Sequence, residues 1–290
     1  MVIDVLNSSR RELVKWLKSN LLKYGIRLRK KLSQVMMVEP KAFKRIVEVV
    51  NMCTQNYIIR NLAVLEVGSG LGTLTIAIGE NSKVYVIGTE VDRRFAPILK
   101  EVQELYPNID IVIGDARRII ESSRSIHVVT GNLPYHITSD LIMAIGRSNA
   151  LCSVITVQKD FADRLIAKPG TKNYGKISLF TQYVFDVEFI DILPPQFFIP
   201  VPEVSSAIVL MRRKRRYSEY SDVEDVVKCL FSFRRKHLLK SLKKCLSLEI
   251  STAELDLSDE LWKKRVYQLA PEDIEKLATI VKSLTLSQKR

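Results

Sequence analysis

The residues with chemistry in them sit in short segments of the first half of the chain. Leu65–Thr75 reads Leu-Glu-Val-Gly-Ser-Gly-Leu-Gly-Thr-Leu-Thr, placing Gly68, Gly70 and Gly72 in a GxGxG spacing. Glycines where a strand turns into a helix let the backbone approach a ligand and tolerate positive φ. The same spacing serves a plain tight turn, and it is not the GxGxxG of a dinucleotide fold. Glu90 ends the next apolar run, where a carboxylate can accept from both hydroxyls of a ribose. Asp115, in Ile113-Gly114-Asp115-Ala116, can accept from an exocyclic adenine amine. Either carboxylate alone reads equally as a helix cap or a surface group. A glycine loop, a Glu and an Asp at three successive strand ends together point to an adenosine-type ligand. NAD satisfies the first two features as well.

The fourth segment, Gly131-Asn132-Leu133-Pro134-Tyr135, separates these possibilities. The N6 amine of adenine is a poor nucleophile because its lone pair is delocalised into the ring. The Asn132 side-chain carbonyl and the Leu133 backbone carbonyl can accept its two N–H bonds and favour a pyramidal nitrogen. Pro134 fixes the turn, and Tyr135 offers a ring on which a flipped base can stack. Taken alone, the segment is also compatible with an ordinary proline turn and a packed tyrosine.

The elements that must position these residues follow from hydrophobic period. Strands are expected at Ala63–Val67, Val84–Thr89, Ile109–Ile113, Ile126–Thr130 and Ser153–Val157, with helices at Leu71–Ile78, Phe95–Leu105 and Ser139–Arg147. Such βα alternation predicts a largely parallel sheet covered by helices on both faces. Two β-rich runs, around Ser178–Ile192 and Ser206–Met211, are expected to close the sheet as an antiparallel hairpin. An amphipathic helix carrying Leu13, Trp16, Leu17, Leu21 and Tyr24, capped by Ser8 or Ser9, precedes the sheet. Beyond the run Arg212–Arg216 the period is helical, so the expected domains are 1–215 and 216–290.

Composition narrows the class. The 290 residues, 47% of them apolar, can bury a sizeable core, and no run approaches the ~20 apolar residues of a membrane span. Arg10, Arg11 and Glu12 arrive before any long apolar run, so a secretory signal is not expected and a cytoplasmic protein is. The net charge is +13, and Leu210–Arg290 carries 19 basic against 12 acidic residues. That imbalance favours a polyanionic partner, nucleic acid before membrane. Cys53, Cys152, Cys229 and Cys245 show no CxxC and few histidines beside them, so no metal site is expected; buried free thiols in a reducing compartment are.

Together the motifs resemble the small-subunit rRNA adenine N6,N6-dimethyltransferases of the KsgA type, which are S-adenosylmethionine-dependent Rossmann-like methyltransferases. Similar segments run from about Lys31 to about Ile274. They include Gln158-Lys159, Ala162-Asp163-Arg164, Ala167-Lys168-Pro169-Gly170, Asn173-Tyr174-Gly175, Phe198-Ile199-Pro200-Val201-Pro202, Val204-Ser205-Ser206 and Phe231 with Arg234-Arg235-Lys236. The resemblance implies an α/β Rossmann-like sheet with antiparallel last strands and a small helical C-terminal domain. It implies that Gly68 and Gly70 hold the methionine part of the cofactor, Glu90 its ribose and Asp115 its adenine, with Asn132 between donor methyl and target amine. Phe198 would complete a π-sandwich with Tyr135, and Leu133 and Pro134 would complete the catalytic motif. Arg234, Arg235 and Lys236, with the clusters Arg212–Arg216 and Arg27–Lys31, would hold rRNA backbone. The implied substrate is a pair of adjacent adenosines in a hairpin loop near the 3′ end of small-subunit rRNA in a pre-ribosomal particle. The implied enzyme is a monomer without a metal.

Three positions depart from the family pattern. Its Gly-Gln-(Asn/His)-Phe-Leu segment reads Ser33-Gln34-Val35-Met36-Met37 here. Gln34, Val35 and Met37 are therefore expected at the cofactor, but Val35 only through backbone or packing. Glu203 stands where a lysine is common, and Ser69 replaces a usual proline. Large-subunit rRNA methylases share the pocket, although Asn173-Tyr174-Gly175 and the C-terminal segments favour the small-subunit type. An assembly factor that kept the fold without the chemistry would be signalled by loss of Glu90 or Asn132, and both are present.

Overall fold

The computed structural model describes residues 3–29, 32–55, 62–246 and 260–287. In chain order its elements are α1 (Arg10–Lys23), β1 (Met36–Met37), α2 (Pro40–Gln55), β2 (Ala63–Val67), α3 (Thr73–Asn81), β3 (Tyr85–Glu90), α4 (Ala96–Leu105), β4 (Ile109–Ile113), α5 (Ala116–Ser122), β5 (Val128–Asn132), α6 (Thr138–Arg147), β6 (Cys152–Gln158), α7 (Lys159–Leu165), α8 (Lys176–Val184), β7 (Phe185–Leu193), β8 (Phe198–Ile199), β9 (Ser206–Arg213), α9 (Ser218–Ser221), α10 (Glu224–Ser232), α11 (Leu238–Leu246) and α12 (Asp273–Ser287). The seven-stranded sheet has the order β4-β3-β2-β5-β6-β9-β7, and β1 pairs with β8 apart from it.

Strands β4, β3, β2, β5 and β6 run parallel, and β9 pairs antiparallel with β6. β2 is buried at every position because helices cover both faces, which is why it reads as a continuous apolar run broken only by Glu66. Edge strand β4 shows alternating exposure instead. Parallel strands bring their C-terminal ends to one side, and the strand order reverses around β2, with β3 on one flank and β5 on the other. A crevice outside those strand ends is the expected ligand position. Gly131 makes the geometry possible. At φ 138° a Cβ there would stand 2.5 Å from the Val67 carbonyl oxygen, so only glycine lets β5 pass β2 and deliver Asn132 to that end.

Two compact units divide the chain: Met1–Ala162 with Glu188–Arg212, and Asp163–Val187 with Arg213–Arg290. The second unit thus includes a segment that the expected boundary at 215/216 leaves in the first. Two interactions tie that segment to the later helices. Tyr174 is fully buried and its hydroxyl donates to the Leu269 carbonyl at 2.7 Å. Arg234 donates to the carbonyls of Thr171, Lys172 and Tyr174 at 2.6–3.0 Å. The expected strand over Ser178–Ile192 begins instead as helix α8, started by Ser178 Oγ accepting the Gly175 N–H at 3.0 Å. Its aromatic and β-branched residues are nearly all buried, so no alternation marks the helix.

The cysteines also differ from expectation. Cys53 on α2 is bonded to Cys152 on β6, and Cys229 on α10 to Cys245 on α11, with Cα atoms 6.1 and 5.8 Å apart. Packing brings residues distant in sequence within disulfide span, so their scattered spacing does not make them free thiols or indicate a reducing compartment. No described helix is long and apolar enough to cross a membrane.

Candidate active site

A cavity of about 250 Å³ opens at the C-terminal ends of β2, β3, β4 and β5, with the 32–37 segment over it. Gly68, Gly70, Glu90, Asp115, Asn132, Pro134, Gln34, Val35 and Met37 all line it. Fold and sequence thus converge on one pocket. Gly68 has φ +74° with open space where a Cβ would stand, leaving its backbone free for close approach by a ligand.

The carboxylates differ in state. Glu90 is buried, and its two oxygens accept the N–H groups of Asp92 and Gly70, each at 2.9 Å. Burial raises its pKa, and those two amides partly oppose the rise. Glu90 therefore anchors the glycine loop and retains lone pairs toward the cavity. Asp115 caps α5 through the Arg117 N–H at 3.0 Å and pairs with the Arg117 guanidinium at 2.6 Å, which holds its carboxyl below the usual range. Helix cap and cavity wall are the same residue.

The 32–37 segment is tied across the pocket at three points. Gln34 donates to Asp92 at 2.8 Å and accepts from the Arg29 N–H at 2.8 Å; it is an anchor more than a free ligand group. Arg94 clasps Asp92 from the other side at 2.5 Å. Ser33 Oγ lies 3.1 Å from His136 Nδ1. The Val35 carbonyl accepts from Asn132 Nδ2 at 3.1 Å. At Val35 the contact the structure shows is therefore made by backbone, and it orients Asn132. That bond also fixes the amide: Nδ2 is committed, and Oδ1 is buried without a partner. An orphaned buried acceptor costs about 1–3 kcal/mol, a cost relieved when a donor enters the pocket.

Of the two residues expected to stack on the base, Phe198 is placed differently from expectation. Tyr135 is half-buried, its hydroxyl 3.1 Å from Ser206 Oγ. Phe198 is fully buried in the apolar core beside Met37 and Phe43, so its ring offers no open face and no preformed sandwich exists. Leu133 buries its side chain too, leaving only its backbone to face a base.

One site residue was not expected. Glu66 lines the cavity, is buried, and accepts from Ser69 Oγ at 3.1 Å and from Thr75 Oγ1. Burial pushes its carboxyl up to about 7 against the pull of those hydroxyls. Its signal was a lone acid inside an apolar strand. Ser69, in place of proline, donates through Oγ to Glu66 and through its N–H to the Thr89 carbonyl at 2.9 Å, bonds that proline cannot make. Among the described residues no group of three or more His, Cys, Asp or Glu could hold a metal ion.

The basic residues divide. Arg234 is not a free cation on the surface: three backbone carbonyls and the Tyr267 ring, 5.4 Å away, occupy its guanidinium. Arg235 and Lys236 are exposed. In the Arg212–Arg216 run, Arg212 pairs with Glu188, Lys214 with Asp186 and Arg215 with Glu275, and Arg213 stacks over Phe185. The run is thus mostly neutralised within the protein. Arg27 and Arg29 are exposed, while Lys30 and Lys31 lie outside the described residues.

A doubly wound sheet with antiparallel closure, and a glycine loop, two carboxylates and an Asn-Leu-Pro-Tyr turn at its strand ends, define a Rossmann-like methyltransferase. A sequence profile of the ribosomal RNA adenine dimethylase family matches residues 25–282, and the chain belongs to that family. It is an S-adenosylmethionine-dependent rRNA adenine dimethyltransferase by that membership. The probable ribosomal RNA small subunit methyltransferase A of Methanothermobacter thermautotrophicus is 33% identical over 270 residues, 91% of this chain and 95% of that one. Its Pyrobaculum islandicum counterpart is 38% identical over 218 residues, 74% and 83% of the two chains. A solved dimethyladenosine transferase from Plasmodium falciparum superposes with a TM-score of 0.70 at 25% identity, covering 86% of this chain and 98% of that one.

Proposed function

We propose that this enzyme dimethylates N6 of two adjacent adenosines in a hairpin loop near the 3′ end of small-subunit rRNA. It would act as a cytoplasmic monomer on a pre-ribosomal particle. The observation that carries the chemistry is the Asn132 carboxamide: amide nitrogen bound to the Val35 carbonyl, oxygen buried and unpartnered at the cavity. A buried acceptor without a donor suits an amine that arrives with the substrate.

Bound S-adenosylmethionine supplies an activated methyl on a sulfonium, so the protein's task is positioning and desolvation. In this reading the Gly68–Gly70 backbone takes the methionine part, Glu90 the ribose hydroxyls and Asp115 the adenine amine. Asn132 Oδ1 and the Leu133 carbonyl accept the two N6 protons of the target base and favour a pyramidal nitrogen facing the methyl. Tyr135 stacks on that base. No side chain need remove the proton, because N6 becomes acidic once alkylated and water can take it. Incubating labelled S-adenosylmethionine with immature small subunits and mapping the modified adenosines tests the proposal. Label confined to other bases, or none at all, refutes it.

A further inference from the structure

Helix α1 lies upstream of residue 25, where the family match begins. It is nonetheless firmly built. Ser9 and Glu12 form a reciprocal capping box, with the Ser9 N–H donating to Glu12 at 2.7 Å, and Leu13 and Leu17 are buried. Burying one face fixes what the other presents. On that outer face Arg11, Lys15 and Lys18 recur at i, i+4 and i+7, all exposed and without an acidic partner among the described residues. The helix's one acid, Glu12, is committed to the cap. Like charges three and four residues apart disfavour the free helix slightly, a cost that a polyanion would reverse.

The helix also lies beside the site. Arg10 donates to the Gln196 carbonyl at 2.7 Å, two residues before Phe198 in β8, the strand that pairs with Met36–Met37. Val14, Trp16 and Leu17 share an apolar cluster with Met36 and Ile199. This packing takes Leu13 and Leu17 and leaves Leu22 as the one large apolar side chain exposed on α1, too little to insert in a bilayer.

We propose that α1 is an accessory phosphate clamp, its Arg11–Lys15–Lys18 face holding rRNA backbone that flanks the target loop. This rests on the rRNA substrate proposed above. Three cations with no aromatic or amide side chain in the set suit phosphates, so the proposed contact is electrostatic and sequence-independent.

The test is the salt dependence of full-length enzyme binding to small subunits, alongside steady-state methylation. Three single-strand phosphate contacts contribute about two units to the slope of log K against log salt. The triple Arg11→Ala, Lys15→Ala, Lys18→Ala should lower the slope by that amount. Between 50 and 200 mM salt the wild type should then lose about 16-fold more affinity than the variant. The effect should fall on KM for the subunit, with kcat held. The charge-preserving triple Arg11→Lys, Lys15→Arg, Lys18→Arg should keep the wild-type slope, and Lys41→Ala, Lys44→Ala, Lys83→Ala should change it far less. An unchanged slope in the α1 alanine triple overturns the clamp, as does an equal change in the Lys41 triple. A wild-type enzyme that binds with the α1-dependent slope yet methylates no adenosine sinks the proposed reaction and leaves the clamp standing. Methylation with an α1-independent slope does the reverse.

Discussion

Replacing Asn132 by alanine should separate chemistry from stability. In the folded protein its Oδ1 is buried and unpaired, while Nδ2 makes one neutral hydrogen bond to the Val35 carbonyl. Alanine removes an orphan acceptor that costs about 1–3 kcal/mol and a bond whose net worth is about 1 kcal/mol. It also leaves a small cavity and an unmatched Val35 carbonyl, so the opposing effects nearly cancel. Stability should therefore change by no more than about 1 kcal/mol. Catalysis should not be spared. The lost acceptor acts most strongly as N6 becomes pyramidal and gains positive charge, which calls for a loss of about 3 kcal/mol, or roughly a hundredfold or more, in the methyl-transfer step. Single-turnover transfer of labelled methyl to small subunits, filter binding of rRNA and thermal unfolding would be measured on one preparation. Lost activity with unchanged RNA affinity and unchanged unfolding temperature is the expected pattern. A variant that unfolds well below the wild type, or whose binding falls as far as its rate, would show that Asn132 organises the fold instead.

Glu90→Ala should weaken S-adenosylmethionine binding by about 2–3 kcal/mol, the scale of hydrogen bonds to a charged group, as titration calorimetry can check; unchanged affinity removes Glu90 from the ribose. Arg234→Ala should destabilise the protein by about 2–4 kcal/mol through three lost carbonyl bonds and leave the salt slope of RNA binding alone. Arg235→Ala with Lys236→Ala should do the opposite, lowering the slope by about 1.4; a slope that follows Arg234 would contradict the structure. Glu66 has its folded pKa raised to about 7, so the native state holds a proton that the unfolded chain releases near 4.3. Its stability contribution is full below the unfolded value and is lost as pH rises from there through about 7, by up to about 4 kcal/mol. Glu66→Gln should flatten that part of the stability–pH curve, and chemical unfolding at several pH values between 4.5 and 8 would expose a curve that stays unchanged.

What the sequence made legible and what it hid have the same physical origin. β2, β3 and β4 were readable within a residue because covered parallel strands are short apolar runs with turn residues at their ends. The pocket was readable because parallel strand ends must converge, so Gly68, Glu90, Asp115 and Asn132 needed only correct strands to meet. Local chemistry could not say whether a residue faces ligand or protein. Arg234 belongs to a basic triplet, and only the fold brings the 171–174 carbonyls around it. Phe198 stands beside proline-rich, exposed chain, yet its pairing with Met37 turns it into the core. The cysteine pairs depend likewise on contacts 99 and 16 residues apart. Helix α8 escaped because a segment buried on nearly all sides has no polar face to give a period. Val35 is the most instructive case. Its side chain lacks the donor that the resemblance leads one to expect there, and side-chain reasoning counts that as a loss. The carbonyl, which any residue at that position would supply, orients Asn132. A position can therefore serve the site through its backbone whatever its side chain, and at Val35 that service is the hydrogen bond that orients Asn132.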